Sequence, residues 1–175
     1  MRRTAWFGTF TVITLTSVSL LSASSVSKVQ ASDALPVKVT VTHGELIAGV
    51  ATYTLDLGQP GASVGDQVVI YTPLSKPNGY LTGTLTTTAI DVPSVGKQIR
   101  QARFSFRFKS STDDSLEVQG TSIYNVYSPT LSIGTRTVRT VLGGTGIYAG
   151  ASGYVVTTHP TIKKWIHTFY LRIPS

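Results

Sequence analysis

Few residues of this chain have the type and spacing that chemistry requires, and none falls into a familiar catalytic motif. Glu117 and Gln119 stand two apart in Leu116-Glu117-Val118-Gln119-Gly120. On a strand they would share one face and could orient a ligand oxygen, although a buried glutamine that satisfies backbone groups beside an exposed glutamate accounts for the same pattern. Tyr71, Tyr124, Tyr148 and Tyr154 offer hydroxyls on apolar bodies, and each of them also reads as a packing residue. Asp66 follows Gly65 at a strand entrance and fits an Asx turn better than a catalytic acid. His43, His159 and His167 lack close metal-ligand spacing, so no metal site is expected. No G-x-S-x-G context supports a hydrolase triad. The absence of cysteine removes thiolate nucleophiles and thiolate metal sites. Gly143-Gly144-Thr145-Gly146 is not a phosphate loop, because neither a Lys-Ser/Thr pair nor a helix follows it.

The elements that must position these residues are strands. Short runs of β-branched and aromatic residues alternate with polar ones and are punctuated by Gly, Pro, Asn and Asp. The expected strands are Pro36 to His43, Ile47 to Leu57, Gln67 to Thr72, Tyr80 to Asp91, Gln101 to Lys109, Ser115 to Asn125, Thr130 to Leu142, Ser152 to His159 and Trp165 to Arg172. The clearest period is Arg103-Phe104-Ser105-Phe106-Arg107-Phe108-Lys109, which puts three phenylalanines on one side and polar residues on the other. Turns are expected at Lys76-Pro77-Asn78-Gly79, at Asp113-Asp114 and at Gly143 to Gly146. The segment Val141 to Tyr154 holds five glycines in fourteen residues, a composition for strand reversal and not for a helix. Antiparallel strands without crossover helices leave a closed barrel or a two-sheet sandwich.

The first thirty residues carry Met1-Arg2-Arg3, an apolar but Ser/Thr-interrupted stretch from Thr4 to Leu21, and Val29-Gln30-Ala31. They read as a signal peptide over residues 1–31, with residues 32–175 as a single barrel domain. The stretch is marginal for the roughly 20 apolar residues of a spanning helix, so no stable membrane anchor is expected after cleavage. Secretion or residence in the cell envelope follows. The net charge of +7 loses Arg2, Arg3 and Lys28 with the leader and falls to about +4. The remaining basic residues form no run longer than Lys163-Lys164, which argues against nucleic-acid binding.

Several segments, in order, resemble the allene oxide cyclase and dirigent superfamily. They are Gly65-Asp66-Gln67-Val68, the strand from Leu81-Thr82-Gly83 to Val92-Pro93, and the aromatic strand Phe104 to Phe108. Leu116-Glu117-Val118-Gln119-Gly120 is similar to the L-x-[VI]-Q-G signature, Gly143-Gly144-Thr145-Gly146-Ile147-Tyr148 with Gly153 to the G-G-[TA]-G-x-[FY] turn, and His167 to Leu171 to the last strand. The resemblance runs from Gly65 to Arg172. It implies an all-β, eight-stranded antiparallel barrel, as homodimer or homotrimer, that holds a hydrophobic small molecule without a cofactor. Cyclases of this kind fold a reactive epoxide so that one stereoisomer forms, and dirigents guide the coupling of phenoxy radicals. In both, shape and a few polar contacts supply the catalysis.

The resemblance also implies site positions, and most are substituted. A water-holding asparagine becomes Thr72, a lumen cysteine becomes Thr86, and a tyrosine becomes Ser122. An inward Thr86 would bring Thr84 and Thr88 inward with it, although these threonines also read simply as strand formers. With Gln119, Tyr124 and Tyr148, the residues Thr72, Thr84, Thr86 and Ser122 form the expected ligand-binding set. Glu45 and Glu117 are the candidate catalytic acids, because Glu45 is the only glutamate upstream of Glu117. The arginine that follows the glycine turn in dirigents is replaced by Ala149-Gly150-Ala151. A lipocalin-like carrier is therefore the rival to a cyclase, and a purely structural β-protein is the third reading.

Overall fold

The computed structural model describes residues 37–44, 51–108 and 113–174. The expected signal peptide and Glu45 lie outside them. Nine strands are present: β1 (Val37–Gly44), β2 (Ala51–Leu55), β3 (Gln67–Ser75), β4 (Asn78–Ile90), β5 (Lys97–Phe108), β6 (Ser115–Asn125), β7 (Arg136–Thr145), β8 (Ser152–Thr161) and β9 (Lys164–Arg172). Each expected strand is thus present, and the only helical piece is a 3-10 turn at Gly146–Tyr148.

All nine strands join one antiparallel sheet in the order β1-β9-β8-β7-β6-β5-β4-β3-β2. The sheet curls so that β1 comes within 8 Å of β3, Cα to Cα, which makes the architecture barrel-like. Among the described residues no ladder joins β1 to β3, and the short β2 occupies the remaining edge of β3. The nine expected strands are β1 to β9, the expected Ile47 to Leu57 being the short β2, one more than the eight of the barrel that the resemblance implies.

Alternation makes the inside. Along β5, Gln98, Arg100, Ala102, Phe104, Phe106 and Phe108 are buried, while Arg103 and Arg107 are exposed. Residues paired across antiparallel strands share a face, so Leu81 opposite Phe106 and Leu85 opposite Ala102 also point inward. Phe106 lies edge-on to Phe104, His167 and Phe169, and Phe108 lies edge-on to Phe169. With Leu116, Val118, Val155 and Leu171, these rings fill one pole of the interior.

Two local expectations are corrected. The seventh strand begins at Arg136 and not at Thr130, and residues 126–135 form a loop. The chain does not turn at Gly143: Gly143, Gly144 and Thr145 continue β7 opposite Glu117, Leu116 and Ser115, past an irregularity in the pairing. Reversal starts at Gly146, where φ is +61° and a Cβ would stand 2.1 Å from Asp114 Oδ1. The Asp114 carboxylate occupies that space because it accepts the Ile147 N–H at 3.1 Å. Only glycine meets both demands.

A cationic polar pole inside the barrel

Opposite the aromatic pole the inward positions turn polar. β4 contributes Thr87, β5 contributes Gln98 and Arg100, β6 contributes Ser122 and Tyr124, β7 contributes Thr137 and Arg139, β8 contributes Thr157 and β9 contributes His167. Arg139 is only 3% exposed and Arg100 only 6%. Gly120 makes room for the Arg139 side chain, since a Cβ there would stand 3.0 Å from its Cγ.

Arg139 Nη2 donates to Tyr124 Oη at 3.0 Å and to Ser122 Oγ at 3.1 Å. Its Nη1 lies 3.4 Å from Thr157 Oγ1, which is itself 2.8 Å from His167 Nδ1. Ser122 also shares a short hydroxyl contact with Thr137. Arg100 donates from Nη1 to the Ser128 carbonyl at 2.7 Å, and its guanidinium sits 5.0 Å from the centre of the Tyr124 ring. Two cations therefore converge on one phenol.

Burial pulls both guanidinium groups below their ordinary pKa, and the nearby Tyr124 opposes that shift. They stay charged, because arginine does not deprotonate in proteins. Burial likewise pushes Tyr124 up, against the opposing charges of Arg139 and then Arg100. Tyr124 is thus a neutral phenol at physiological pH. Its oxygen accepts from Arg139, which polarises the O–H and leaves that hydrogen for another acceptor.

Two cavities reach this pole. The pairing of β6 with β7 stops at Gln119–Thr140, and beyond it a cleft of about 620 Å³ opens between the strands. Its polar lining includes Ser122, Tyr124 and Thr137 together with the cations Lys97 and Arg136, and its apolar lining includes Leu131 and the exposed Ile123 and Val138. A second cavity of about 360 Å³ is lined by Thr87, Gln98, Arg100 and the loop residues Asp66 and Tyr127. Asp66 serves the loop: its carboxylate accepts Leu57 N–H, Ser63 N–H and the Ser63 hydroxyl at 3.0, 2.7 and 2.8 Å. Asp66 thus stabilises the loop before β3, through bonds back to Leu57 and Ser63 and not through the forward bond of an Asx turn. Those bonds hold its carboxyl below the ordinary range, the Ser63 backbone bond contributing most.

The residues singled out from the sequence are scattered. Ser122 and Tyr124 meet at the polar pole, and Thr72 is inward and buried against the barrel wall opposite Leu81. Tyr148 is buried in the reversal after β7, its ring 5.2 Å from Phe108. Thr84 and Thr86 face outward, because Leu81 and Leu85 take the inward parity of β4 and Thr87 is the inward threonine. Glu117 and Gln119 do share a face, but it is the outer one. Glu117 is exposed and accepts the Ser105 hydroxyl at 2.7 Å. Tyr71 and Tyr154 are also outside.

Sequence reasoning missed Arg100, Arg139, Thr137 and Thr157. The signal for Arg100 was present: continuing the Phe104 parity backwards through Ala102 places Arg100 and Gln98 inside. For Arg139 the parity was ambiguous, because Val138 and Val141 compete for the inward face.

No family model and no curated protein sequence matches the chain. Solved structures do. Pyocyanin demethylase aligns over 78% of this chain and 100% of its own, with a TM-score of 0.58 and 17% identity. The Diels-Alderase AbmU from Streptomyces koyangensis aligns over 82% of this chain and 71% of its own, with a TM-score of 0.55 and 15% identity. The pterocarpan synthase dirigent protein GePTS1 aligns over 90% of this chain and 100% of its own, with a TM-score of 0.57 and 11% identity. In its fold, therefore, the chain stands with the barrel-like cyclases and dirigent proteins that its ordered motifs resemble.

Proposed function

We propose that the barrel binds a largely apolar small molecule in the β6–β7 cleft and steers its stereoselective cyclisation, an isomerase-type reaction. The observation that carries this reading is the convergence of Tyr124, Ser122 and Arg139 at the base of that cleft. A neutral phenol held by a guanidinium can donate to a reacting oxygen and stabilise the negative charge that develops on it. The apolar walls would fix the conformation of the remaining chain, so that one face closes on the other. Atoms are conserved in such a ring closure, and no cofactor is needed.

The same proposal places the protein outside the cytoplasm, in the envelope or the medium, as a homodimer or homotrimer. Dirigent-like guidance of phenoxy-radical coupling is the nearest variant. A non-catalytic carrier is the second reading, favoured by the outward Glu117. The test is product stereochemistry: candidate epoxides, and phenoxy radicals generated by a one-electron oxidant, are converted with and without the purified protein. Enrichment of one stereoisomer, lost in Tyr124→Phe, supports steering. Unchanged stereochemistry across the panel overturns it, and tight binding without turnover would then leave the carrier.

A further inference from the structure

We propose that the end of the barrel at the polar pole docks on an anionic lipid surface through the tips of its loops. Strand pairing puts three loops and one turn at that end: residues 56–66 after β2, 91–96 after β4, 126–135 after β6 and 162–163 after β8. Each holds a large apolar side chain in water. Val64 is exposed on the first, Val95 is 88% exposed on the second, Tyr127 is 78% exposed on the third, and Ile162 is 69% exposed on the turn. Single exposed apolar residues are ordinary, but here every described connection at one end carries one. In the connections of the opposite end, Ile147 is the only exposed large hydrophobic among the described residues.

The loops are tied down beneath their tips. The Asp91 carboxylate accepts the Gly96 N–H at 2.8 Å, Val126 N–H donates to the Gly96 carbonyl at 3.0 Å, and Gly134 N–H donates to the His159 carbonyl at 2.8 Å. Tyr127 sits at φ +65°, a left-handed conformation that costs a bulky residue energy, and that turn displays an aromatic ring to water. Charge agrees with an anionic partner. Lys163 and Lys164 follow Ile162 directly and are exposed, as is Arg136, and Lys97 donates to the neutral Asn125 side chain at 2.6 Å. Among the described residues the acids of this end are Asp56, Asp66 and Asp91, and each turns into its own loop to accept backbone N–H, Asp56 from Gly61 at 3.2 Å. Lysine stems can lie along an apolar layer while their ammonium groups reach lipid phosphates. Apolar points on separate loops, with polar stretches between them, suit a fluid layer that closes around each one better than a protein partner, which needs a contiguous patch. The β6–β7 cleft has Lys97, Asn125, Ser132 and Arg136 in its lining and so opens beside this rim. Docking would let an apolar ligand pass between lipid and cleft without crossing water, but it does not depend on that ligand.

The chain has no cysteine, so a single one can carry an environment-sensitive nitrobenzoxadiazole label at Val95→Cys, Tyr127→Cys or Ile162→Cys, with Ile147→Cys at the opposite end as control. All four positions are exposed, so the substitutions leave the core untouched. The full chain is titrated with vesicles of phosphatidylcholine alone and with vesicles in which about one-third of the lipid is phosphatidylglycerol. On the anionic vesicles, emission from the three rim labels should rise about threefold and shift to the blue, while the label replacing Ile147 stays unchanged. The same response on phosphatidylcholine alone should need about tenfold more lipid, and Lys163→Gln combined with Lys164→Gln should narrow that gap. Silent rim labels, an equal response at the Ile147 position, or equal responses to the two kinds of vesicle each overturn the proposal. Because the readout is local, capture of vesicles by residues 1–31 does not mimic docking. Rim labels that respond to rising protein concentration without lipid also overturn it, and mark a face for protein association instead.

Discussion

Replacing Tyr124 by phenylalanine removes one oxygen from the polar pole and little else. The ring remains beneath Arg100, 5.0 Å from the guanidinium, while Arg139 Nη2 loses the acceptor at 3.0 Å and keeps Ser122 Oγ at 3.1 Å. A hydrogen bond to a charged group contributes about 1.5–3 kcal/mol. Tyr124→Phe should therefore lower stability by about 2 kcal/mol. With a urea m-value of about 2 kcal/mol/M, the midpoint falls by about 1 M with the slope unchanged. A double-mutant cycle with Arg139→Met should return most of that energy as coupling.

The pH dependence of this difference has a definite sign. Burial raises the Tyr124 pKa in the folded state, so its contribution is intact below the unfolded tyrosine value of about 10. Above that pH the unfolded chain releases a proton that the folded chain retains, and the wild type loses stability relative to Tyr124→Phe. The gap between the two proteins should be constant from pH 6 to 9 and shrink above pH 10. A change below about 0.5 kcal/mol at pH 7, or a gap that widens in alkali, would refute the buried phenol–guanidinium bond.

Phe106→Ala should cost about 3–5 kcal/mol in chemical denaturation, because the ring is fully buried among Phe104, His167 and Phe169. Gly146→Ala should destabilise by at least about 1 kcal/mol, since it forces a side chain into positive φ and against Asp114. Thermal melts should show no matching loss for Thr86→Val, an outward position expected within about 0.5 kcal/mol of wild type. Thr87→Val, by contrast, removes a buried hydroxyl that donates to Gln98 Oε1 at 3.3 Å and should cost about 1 kcal/mol. Asp66→Asn should destabilise at neutral pH. The depressed Asp66 pKa contributes stability above the unfolded carboxylate value that is lost as pH falls through the folded one, so the wild-type advantage should vanish in acid.

The strands were legible because β-branched alternation and turn chemistry are local signals. Phe104, Phe106 and Phe108 named their own buried face, and Gly65-Asp66 named its own turn. The candidate site was legible only in Ser122 and Tyr124. Thr84 and Thr86 were put inside through the resemblance, which aligns Thr86 with a lumen cysteine, against the inward parity that Leu81 and Leu85 set. Arg100 and Arg139 escaped because charged residues are nearly always outside, so a buried pair runs against the rule that makes sequence reading work.

The sequence by itself determined an all-β chain, its strands, their two-faced periodicity and an ordered set of motifs shared with one group of barrels. Those follow from contacts within a strand or a turn, which extend over a few residues. Tertiary structure alone decided which face of each strand looks inward, where β6 and β7 part, and that two arginines 39 positions apart in sequence share one phenol. Parity is settled by packing between strands remote along the chain, and a polar pole made from six strands has no local signature.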